Sequence, residues 1–446
     1  MQKEASKIEE SPKKRKRTIS KERQELSGRG NKTLYLPSSE SEYQSVIDNA
    51  TAYRAWVDNH YEQFPQLFPS AMSSGYRLHD IRLSKKQEDL PRRRIKLKST
   101  GACYTIQPSF MLPYMVGTTE EAAKALFLRK HGLSYDGITY ILGKDDMYWQ
   151  RIELSLSRMN IVGTTLQDSS NLPKDIASDE KHTKHLGEKS YACITATADC
   201  ILGASISQKA DTEGLKEAYE EFKQDSQAID PTYEPNTNNR DGWEAGLAAF
   251  GELFPLTVSI LCFLHEWLKI QNRCRKLKKV YKDGLSLMTH IGNKVWEIYQ
   301  SESKEAFEAG VQELRDWVNE HITEEYLQKQ IYKFCDRADT LATAYQHKGC
   351  LRTSNAVDRP MKQLNKVLRN MQYFHGHLYQ ANRFLRAWAL IHNFAPYTKK
   401  VQKQTGLISP AHKVNGFCYH ENWLQNLLIS GSLNGGSDRL RAIPHN

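Results

Sequence analysis

The chain has 446 residues, enough for two or three domains and for a large buried core without disulfide bonds. Its 39% hydrophobic and 26% charged residues are typical of a soluble globular protein, and we expect neither a membrane-spanning segment nor a secretory signal. The net charge is +10, and residues 1–100 carry about +8 of it, from about 21 Lys and Arg against about 13 Asp and Glu. Such a basic segment favours a polyanion partner, most often nucleic acid, although it can also serve solubility alone.

The N-terminal tail and the cysteines both bear on where the chain works. Residues 1–32 are polar and charged with almost no aromatic side chains, which predicts a disordered basic tail. Within it, Pro12–Arg17 is either a nuclear import signal or a phosphate-binding arm, and the sequence does not separate the two. Eight scattered cysteines without a C-x-x-C pair indicate a reducing compartment. We therefore expect a cytoplasmic protein, on the nucleoid of a bacterial host, and a nuclear one only if the host is eukaryotic.

Residues 33–115 form a basic N-terminal region. Aromatic and aliphatic residues spaced by three and four between residues 41 and 69 predict one or two amphipathic helices. Further on, Ile95 and Leu97 alternate with charged residues, which predicts an edge strand with a basic outer face. Three arginines on this strand are candidate DNA contacts: Arg92, Arg93 and Arg94.

Residues 116–165 have the pattern of three short helices. Thr118 or Thr119 can cap the first helix, Ser134 the second and Asp145 the third, with a glycine turn between the last two. This spacing is typical of a helix-turn-helix DNA-binding unit, whose third helix would lie in the major groove. Three-helix units of this kind also occur as plain packing modules. The residues that could reach bases or phosphates are Lys144, Gln150 and Arg151.

Residues 170–265 predict a sheet flanked by helices. Lys174–Thr183, Tyr191–Thr197 and Cys200–Ile206 read as consecutive antiparallel strands. A helix, a strand that ends in Asp241, a second helix and a buried strand follow in that order. Alternating helices and strands after an antiparallel start are typical of an α/β layout.

The rest of the chain predicts mostly helices. Residues 266–346 carry an almost unbroken helical pattern of apolar residues, which indicates an all-α insertion. Residues 347–396 contain a helix that we expect to start at about Asp358, since Pro360 is tolerated only in a first turn. An apolar helix follows up to Phe394. Residues 397–446 are polar and glycine-rich, and we expect a loosely ordered C-terminal tail.

Three aspartates that are far apart in the sequence are candidates for one metal site. Asp179 lies on the first strand of the predicted sheet, Asp241 at the end of a later strand and Asp358 at a helix start. Carboxylate oxygens are the ligands that Mg²⁺ and Mn²⁺ prefer, and two such ions about 3.5–4 Å apart support phosphoryl transfer. Taken alone, each aspartate could equally lie at the surface as a cap. The nearby alternatives to the first two acids are Glu180 and Glu244.

Histidines and one cysteine are further candidates near these strands. Cys262 and His265 form a C-x-x-H pair, which lacks the second ligand pair of a zinc site. We therefore expect His265 beside the acidic site or the DNA backbone, with Cys262 buried. His182 and His375 are other polar candidates, and each can equally be structural.

The order and spacing of these motifs resemble those of the DDE-type transposases of bacterial insertion sequences, over about residues 117–396. The resemblance implies an RNase H-like catalytic core in two parts, residues 170–265 and 347–396, around the helical insertion. It also implies a catalytic triad that binds two Mg²⁺ or Mn²⁺ ions, with an aspartate where most of the family has a glutamate last. The motifs are Asp179-Glu-Lys-His-Thr with Gly187-Glu-Lys189, Asp241-Gly-Trp243, Cys262-Phe-Leu-His265 and Thr353-Ser-Asn-Ala-Val-Asp358-Arg359. Carried onto this chain, the triad is Asp179, Asp241 and Asp358, with Cys262, His265 and Arg359 as auxiliary residues.

The resemblance implies a transposase. It would bind the terminal inverted repeats of its element through residues 1–165, and would cleave and join double-stranded DNA as a homo-oligomer, away from any membrane. The fold expected is α/β, with an RNase H-like mixed sheet, flanking helices and an all-α insertion, preceded by a helical helix-turn-helix region. Two alternatives stay open: a transposase-derived DNA-binding protein without catalysis, and a stand-alone nuclease of the same core fold.

Overall fold

The computed structural model describes residues 32–87, 89–113, 115–197, 200–278 and 284–435. The predicted disordered tail, apart from Lys32, and its basic run Pro12–Arg17 therefore lie outside the described residues. Within these ranges the chain is a mixed α/β protein with two mixed sheets and many helices. None of the helices described there is both long and apolar enough to cross a bilayer.

The first sheet belongs to the N-terminal region. Its strands are β1 (Thr33–Leu36), β2 (Tyr76–Ser84), β3 (Leu90–Leu97) and β4 (Cys103–Pro108). They are ordered β1-β4-β3-β2, with β1 parallel to β4 and the other pairs antiparallel. The two amphipathic helices predicted before the basic stretch are present as α1 (Glu40–Ile47) and α2 (Ala50–Gln63).

The prediction that residues 92–98 form an edge strand was wrong. Ile95 and Leu97 are buried on a strand as expected, but β3 pairs with β2 on one side and with β4 on the other. The expected basic outer face is absent as well, because Arg94 pairs across to Asp80 of β2 at 2.5 Å. The charge-rich sequence of β2 hides its strand character, so the missing neighbour could not be foreseen.

Three helices follow, as predicted: α3 (Thr119–Lys130), α4 (Tyr135–Leu142) and α5 (Asp146–Ser155), and a short α6 (Ile161–Thr165) comes next. The predicted caps are formed. Thr118 accepts from the backbone N–H of Glu121, Ser134 from that of Gly137 and Asp145 from that of Tyr148. Each cap satisfies an N–H that would have no partner within its helix.

The second sheet holds the candidate site, and its strand and helix order is the predicted one. Its first three strands are antiparallel to one another, and the last two run parallel to the first. The strand order is β7-β6-β5-β8-β9. The elements are β5 (Asp175–His185), β6 (Glu188–Thr197), β7 (Cys200–Ser207), α7 (Thr212–Gln227), β8 (Thr237–Arg240), α8 (Glu244–Leu253) and β9 (Val258–Leu261).

Helices cover both faces of this sheet. On one face Ile176 and Cys193 pack with side chains of α7 and α8. On the other face Ala177 and Ile194 pack with side chains of α14 (Asn355–Asn370) and α15 (Leu378–Phe394). Because successive strand residues point to opposite faces, Asp179 belongs to the α14 face and Glu180 to the α7 face.

The segment between β9 and α14 is the predicted helical insertion. It has its own core, in which Phe263, Phe307 and Phe334 are buried together. Its first helix begins at Phe263, so that His265 lies in the first turn. The helices are α9 (Phe263–Lys278), α10 (Gly284–Tyr299), α11 (Lys304–His321), α12 (Glu325–Cys335) and α13 (Ala338–Ala342).

The expectation of a loosely ordered tail was wrong for residues 397–435; residues 436–446 lie outside the described part. Three helices form there: α16 (Lys399–Thr405), α17 (Pro410–Asn415) and α18 (Trp423–Ser430). Leu424 and Leu427 of α18 are fully buried in one core with side chains of residues 34–159. The backbone N–H of Tyr35 donates to Ser432 at 2.8 Å. The end of the chain thus completes the core of the N-terminal region.

Candidate metal centre

The parallel register of β5 and β8 brings the first two aspartates together. The pairs Asp175↔Thr237 and Ala177↔Asn239 share one offset, which continues to Asp179 and Asp241 just beyond the last paired residue of β8. Oxygens of Asp179, Asp241 and Glu180 all lie within 4.8 Å of one another. The positive φ of +88° at Gly242 turns the chain away directly after the acid.

The third aspartate approaches from the helix on the same face. Donor atoms of Asp179, His265 and Asp358 also lie within 4.8 Å of one another. The Ser354 hydroxyl donates to Asp358 Oδ2 at 2.6 Å and so fixes its rotamer. Asp179 is therefore common to two groups of donors, and each of the other two predicted aspartates belongs to one of them.

The expected start of this helix was wrong. The helix begins at Asn355, three residues before Asp358, so Pro360 lies inside it. Proline cannot donate to the carbonyl of Ala356, which costs one helical hydrogen bond. The buried face of this helix, with Val357, Met361 and Leu364 in the core, offsets that loss.

Electrostatics at Asp179 favour a bound cation. Burial and the charges of Glu180 and Asp241 raise the pKa of Asp179 to about 6. His265 and the backbone N–H of Glu180, which donates to Asp179 Oδ1 at 2.8 Å, act in the opposite direction. An acid whose pKa is raised by neighbouring acids is one that a divalent cation would stabilise in its charged form.

Glu180, the alternative to the first acid, is already paired. Its carboxylate forms an ion pair with Arg240, and both side chains are about 1% exposed. Tyr219 donates to Glu180 Oε1 at 2.8 Å, and Arg240 also donates to Ser178 at 3.0 Å. This network lies on the α7 face and leaves Asp179 as the acid that faces Asp358. Glu244, the alternative to the second acid, is exposed in the first turn of α8 and lies outside both donor groups found among the described residues.

Cys262 and His265 lie where the sequence analysis expected them. Cys262 is fully buried between β9 and α9, and it exchanges contacts with Ser354 at 3.2 and 3.3 Å. Ser354 also contacts His265 Nδ1 at 3.4 Å. The hydrogen bond with Cys262 and the charges of Cys262, Asp179 and Asp358 raise the pKa of His265 to about 9, although burial opposes this shift.

One buried side chain on this face has no partner. Asn239 is fully buried, and within the described residues neither its oxygen nor its nitrogen makes a hydrogen bond. It lies two residues before Asp241 on the strand and therefore on the same face. A buried amide without partners usually indicates a bound water or ion that completes it. The donor groups and this amide together fit a site for divalent cations.

The other predicted site residues lie elsewhere. His182 is exposed on the α7 face, where its ring stacks on Tyr191 with centroids 5.0 Å apart. Arg359 is exposed next to Asp358. His375 is exposed and contacts the carbonyl of Met371 at 3.2 Å. Neither histidine nor Arg359 belongs to the two donor groups among the described residues.

The predicted DNA contacts fall into two sets. Lys144 and Arg151 are exposed and Gln150 is half-buried. Gln150 and Arg151 also line a cavity of about 340 Å³ whose far wall includes His375. The other set is occupied within the N-terminal region: Arg92 donates to Gln107 at 3.2 Å, Arg93 to the carbonyl of Ile47 at 2.8 Å and Arg94 to Asp80 at 2.5 Å.

Sequence reasoning missed three residues of the site: Ser354, Asn239 and Arg240. Ser354 precedes Asp358 by four residues, and this spacing puts both on one helix face, so it could have been found. The roles of Asn239 and Arg240 depend on strand register, which the sequence does not contain.

Comparisons with known proteins do not identify this arrangement. No model of a known protein family matches the chain, and no curated protein matches its sequence. The functional assignment therefore depends on the geometry of the site and on its chemistry.

Proposed function

We propose that the protein is a transposase of the DDE type, a metal-dependent polynucleotidyl transferase that cleaves and joins DNA. The observation that carries the proposal is the pair of donor groups that share Asp179, one with Asp241 and one with Asp358. Three aspartates from distant parts of the chain lie in a half-buried position on one sheet face, as two-metal phosphoryl transfer requires. The order of the sequence motifs supplies the reaction class.

The topology of the second sheet supports an RNase H-like core. The order β7-β6-β5-β8-β9, with three antiparallel strands followed by two strands parallel to the first, is the order that such a core has. The first acid is on the central strand, the second follows the neighbouring strand and the third is on a helix across the face. The helical insertion enters between the second and third acids without disturbing them.

The chain's own residues would position the ligands. Backbone N–H groups of Glu180 and Trp243 each donate to an aspartate, at Asp179 Oδ1 and Asp241 Oδ1, both at 2.8 Å. Ser354 holds Asp358 in the same way. When bound, two Mg²⁺ or Mn²⁺ ions would activate water or a 3′-hydroxyl and neutralise charge on the leaving oxygen.

The three-helix unit is the proposed helix-turn-helix DNA-binding element. Its third helix begins beside exposed Lys144, and Arg151 is exposed one turn after Met147. A cation at the turn and polar residues along the next helix are what a phosphate contact followed by base contacts needs. The net charge of +10 favours the same partner. We propose that the enzyme acts as a homo-oligomer on element ends and target DNA, in the nucleoid or, in a eukaryotic host, in the nucleus.

The first experiment tests strand cleavage. DNA that carries the inverted repeats flanking the coding sequence is incubated with protein and Mg²⁺ or Mn²⁺. Asp179→Ala and Asp241→Ala should lower cleavage by about 10³-fold or more, because each removes a ligand of the reacting centre, while binding to the repeats stays within about threefold. Glu244→Ala is the matched control, since this acid is exposed in the turn after Asp241 and should leave cleavage unchanged.

Three results would contradict the proposal. Cleavage retained in both aspartate variants would remove the metal site from the mechanism. Binding to the repeats without any metal-dependent nicking would indicate a DNA-binding protein without catalysis. Hydrolysis that never gives joined strand-transfer products would indicate a stand-alone nuclease with the same core.

A further inference from the structure

The two donor groups around Asp179 differ in chemistry. Asp179, Asp241 and Glu180 offer only carboxylate oxygens, whereas Asp179 and Asp358 are joined by an imidazole nitrogen of His265. We propose that the two cation positions of this site are unlike, and that His265 is a metal ligand at the position it shares with Asp358. That position would take a transition-metal ion, Mn²⁺ or a later member of the series, in preference to Mg²⁺. This inference rests on the proposed function and assigns its cofactors.

The argument begins with ligand preference. Mg²⁺ binds oxygen in near-ideal octahedral geometry and keeps several of its waters. Imidazole nitrogen suits transition-metal ions, and affinity for a nitrogen-containing site rises along the series from Mn²⁺ towards Cu²⁺. One nitrogen among carboxylates therefore shifts the preference of the whole position away from Mg²⁺.

The all-oxygen position has the opposite character. Glu180 is held by Arg240 and Tyr219, so Asp179 and Asp241 are the carboxylates free to bind there. Two carboxylates leave room for several waters, which is how proteins usually bind Mg²⁺. Asn239, buried on this face with both side-chain atoms unpartnered, would bond such waters.

The hydrogen bonds of Ser354 indicate which nitrogen is available. A hydroxyl has one proton and two acceptor sites. At Ser354 the proton goes to Asp358 Oδ2 at 2.6 Å, and the thiol of Cys262 donates to the oxygen at 3.3 Å. The contact at 3.4 Å from His265 Nδ1 then requires that nitrogen to donate. Nε2 is left to bind an ion, and a protonated Nδ1 held by a neighbour is the usual arrangement in metal-binding histidines.

The same count explains the buried C-x-x-H pair. Cys262 and His265 both lean on Ser354, and Ser354 in turn orients Asp358. One serine thus aligns both of the ligands that the second position adds to Asp179. Cys262 is a positioning residue in this arrangement, since its sulfur belongs to neither donor group among the described residues.

The test measures metal binding to the full chain in the absence of DNA. Calorimetry is carried out with Mg²⁺ and Mn²⁺ separately, and Co²⁺ serves as a spectroscopic probe because its visible absorption responds to nitrogen ligation. His265→Asn should weaken Mn²⁺ and Co²⁺ binding by about 10- to 100-fold and change the Co²⁺ spectrum, while Mg²⁺ binding changes by less than about threefold. His182→Asn, on the exposed opposite face, is the matched control and should change neither.

Further variants separate the two positions. Asp241→Asn should weaken Mg²⁺ binding while the nitrogen-type Co²⁺ spectrum remains. Asp358→Asn removes the same position as His265→Asn by another ligand, and it should reproduce the loss of Mn²⁺ and Co²⁺ binding. Far-ultraviolet circular dichroism checks that each variant is folded.

Two results would overturn the inference. Unchanged Mn²⁺ and Co²⁺ binding in folded His265→Asn would mean that the imidazole is only a fixed cation or a packing group. Equal losses of Mg²⁺ and Mn²⁺ in that variant would mean that the two positions are alike. Failure of the proposed function is distinguishable, because it appears as DNA cleavage retained in Asp179→Ala and Asp241→Ala.

Discussion

At the scale of single residues, Asp179 and Glu180 show how one strand serves two purposes. They are neighbours in the chain, yet the pleat of β5 sends them to opposite faces. Glu180 enters a closed ion pair with Arg240, whereas Asp179 faces Asp358 and His265 without a fixed counter-charge. The first arrangement stabilises the sheet, and the second destabilises it unless a cation is bound.

That difference predicts a pH dependence for metal-free protein. The pKa of Asp179 is about 6 in the folded state against 3.8 ordinarily, so the folded state holds its proton more tightly. Stability from this group is therefore present at low pH and lost as the pH rises through about 6. In a metal chelator, Asp179→Asn should raise the free energy of unfolding at pH 8 by about 1–3 kcal/mol and have little effect at pH 4.

Urea unfolding at both pH values measures this effect. Saturating Mn²⁺ should reverse the order at pH 8, since the cation stabilises the charged wild-type carboxylate and not the amide. Glu244→Gln serves as the control, because its carboxylate is exposed. Equal effects of Asp179→Asn at the two pH values would contradict the assignment.

The buried pair gives a prediction of the opposite sign. Arg240→Met leaves Glu180 buried without its cation, which should cost about 3–5 kcal/mol of unfolding free energy at pH 7. Lys216→Met, which breaks the exposed pair with Glu252, should cost no more than about 1 kcal/mol. Chemical denaturation of both variants measures the difference, and similar small losses would show that the Arg240 network is not a structural anchor.

At the scale of elements, helix caps were predictable and strand neighbours were not. Thr118, Ser134 and Asp145 cap their helices as expected, because a cap depends on three or four adjacent residues. The position of β3 inside its sheet depends on β2, whose alternation is obscured by charges. Likewise, the offset that levels Asp179 with Asp241 exists only once β5 and β8 pair. The resemblance to a known family, rather than periodicity, indicated which acids to choose.

The turn between α4 and α5 combines strain with a charge. Lys144 has a φ of +63°, a left-handed conformation that a side chain disfavours, and its amine is exposed. Lys144→Gly should be more stable than Lys144→Ala by about 1 kcal/mol, since only glycine relieves the backbone. Both variants should bind DNA more weakly and lower the salt dependence of binding by about one ion.

Thermal unfolding and mobility shift over a range of salt concentrations test the two halves of this prediction separately. Lys124→Ala is a suitable control for charge alone, because Lys124 is exposed on α3 and paired with Glu120. Unchanged DNA affinity in both Lys144 variants would move the proposed contact away from this turn.

At the scale of the whole molecule, the two ends of the described chain share one core. Apolar residues at helical spacing in α18 would be a solvent-exposed stripe without β1 and α3, which pack against them. Because that partner lies about 390 residues earlier in the sequence, the composition of residues 397–446 alone suggested a loose tail. Removal of the C-terminal segment should therefore act on the N-terminal region and not merely shorten the chain.

Leu427→Ala tests this coupling. Leu427 is fully buried, so its truncation should cost about 2–5 kcal/mol, and the loss should fall first on the core that it shares with Leu34 and Tyr43. Hydrogen exchange should accelerate in α1 and β1 by at least tenfold, while amides of β5 and β6, which pack in other cores, change less. The matched control is Ile408→Ala, whose side chain is 38% exposed. Exchange that accelerates only within α18 would mean that the helix is docked on a region that is stable without it, because a shared core transmits the loss to every element that lines it.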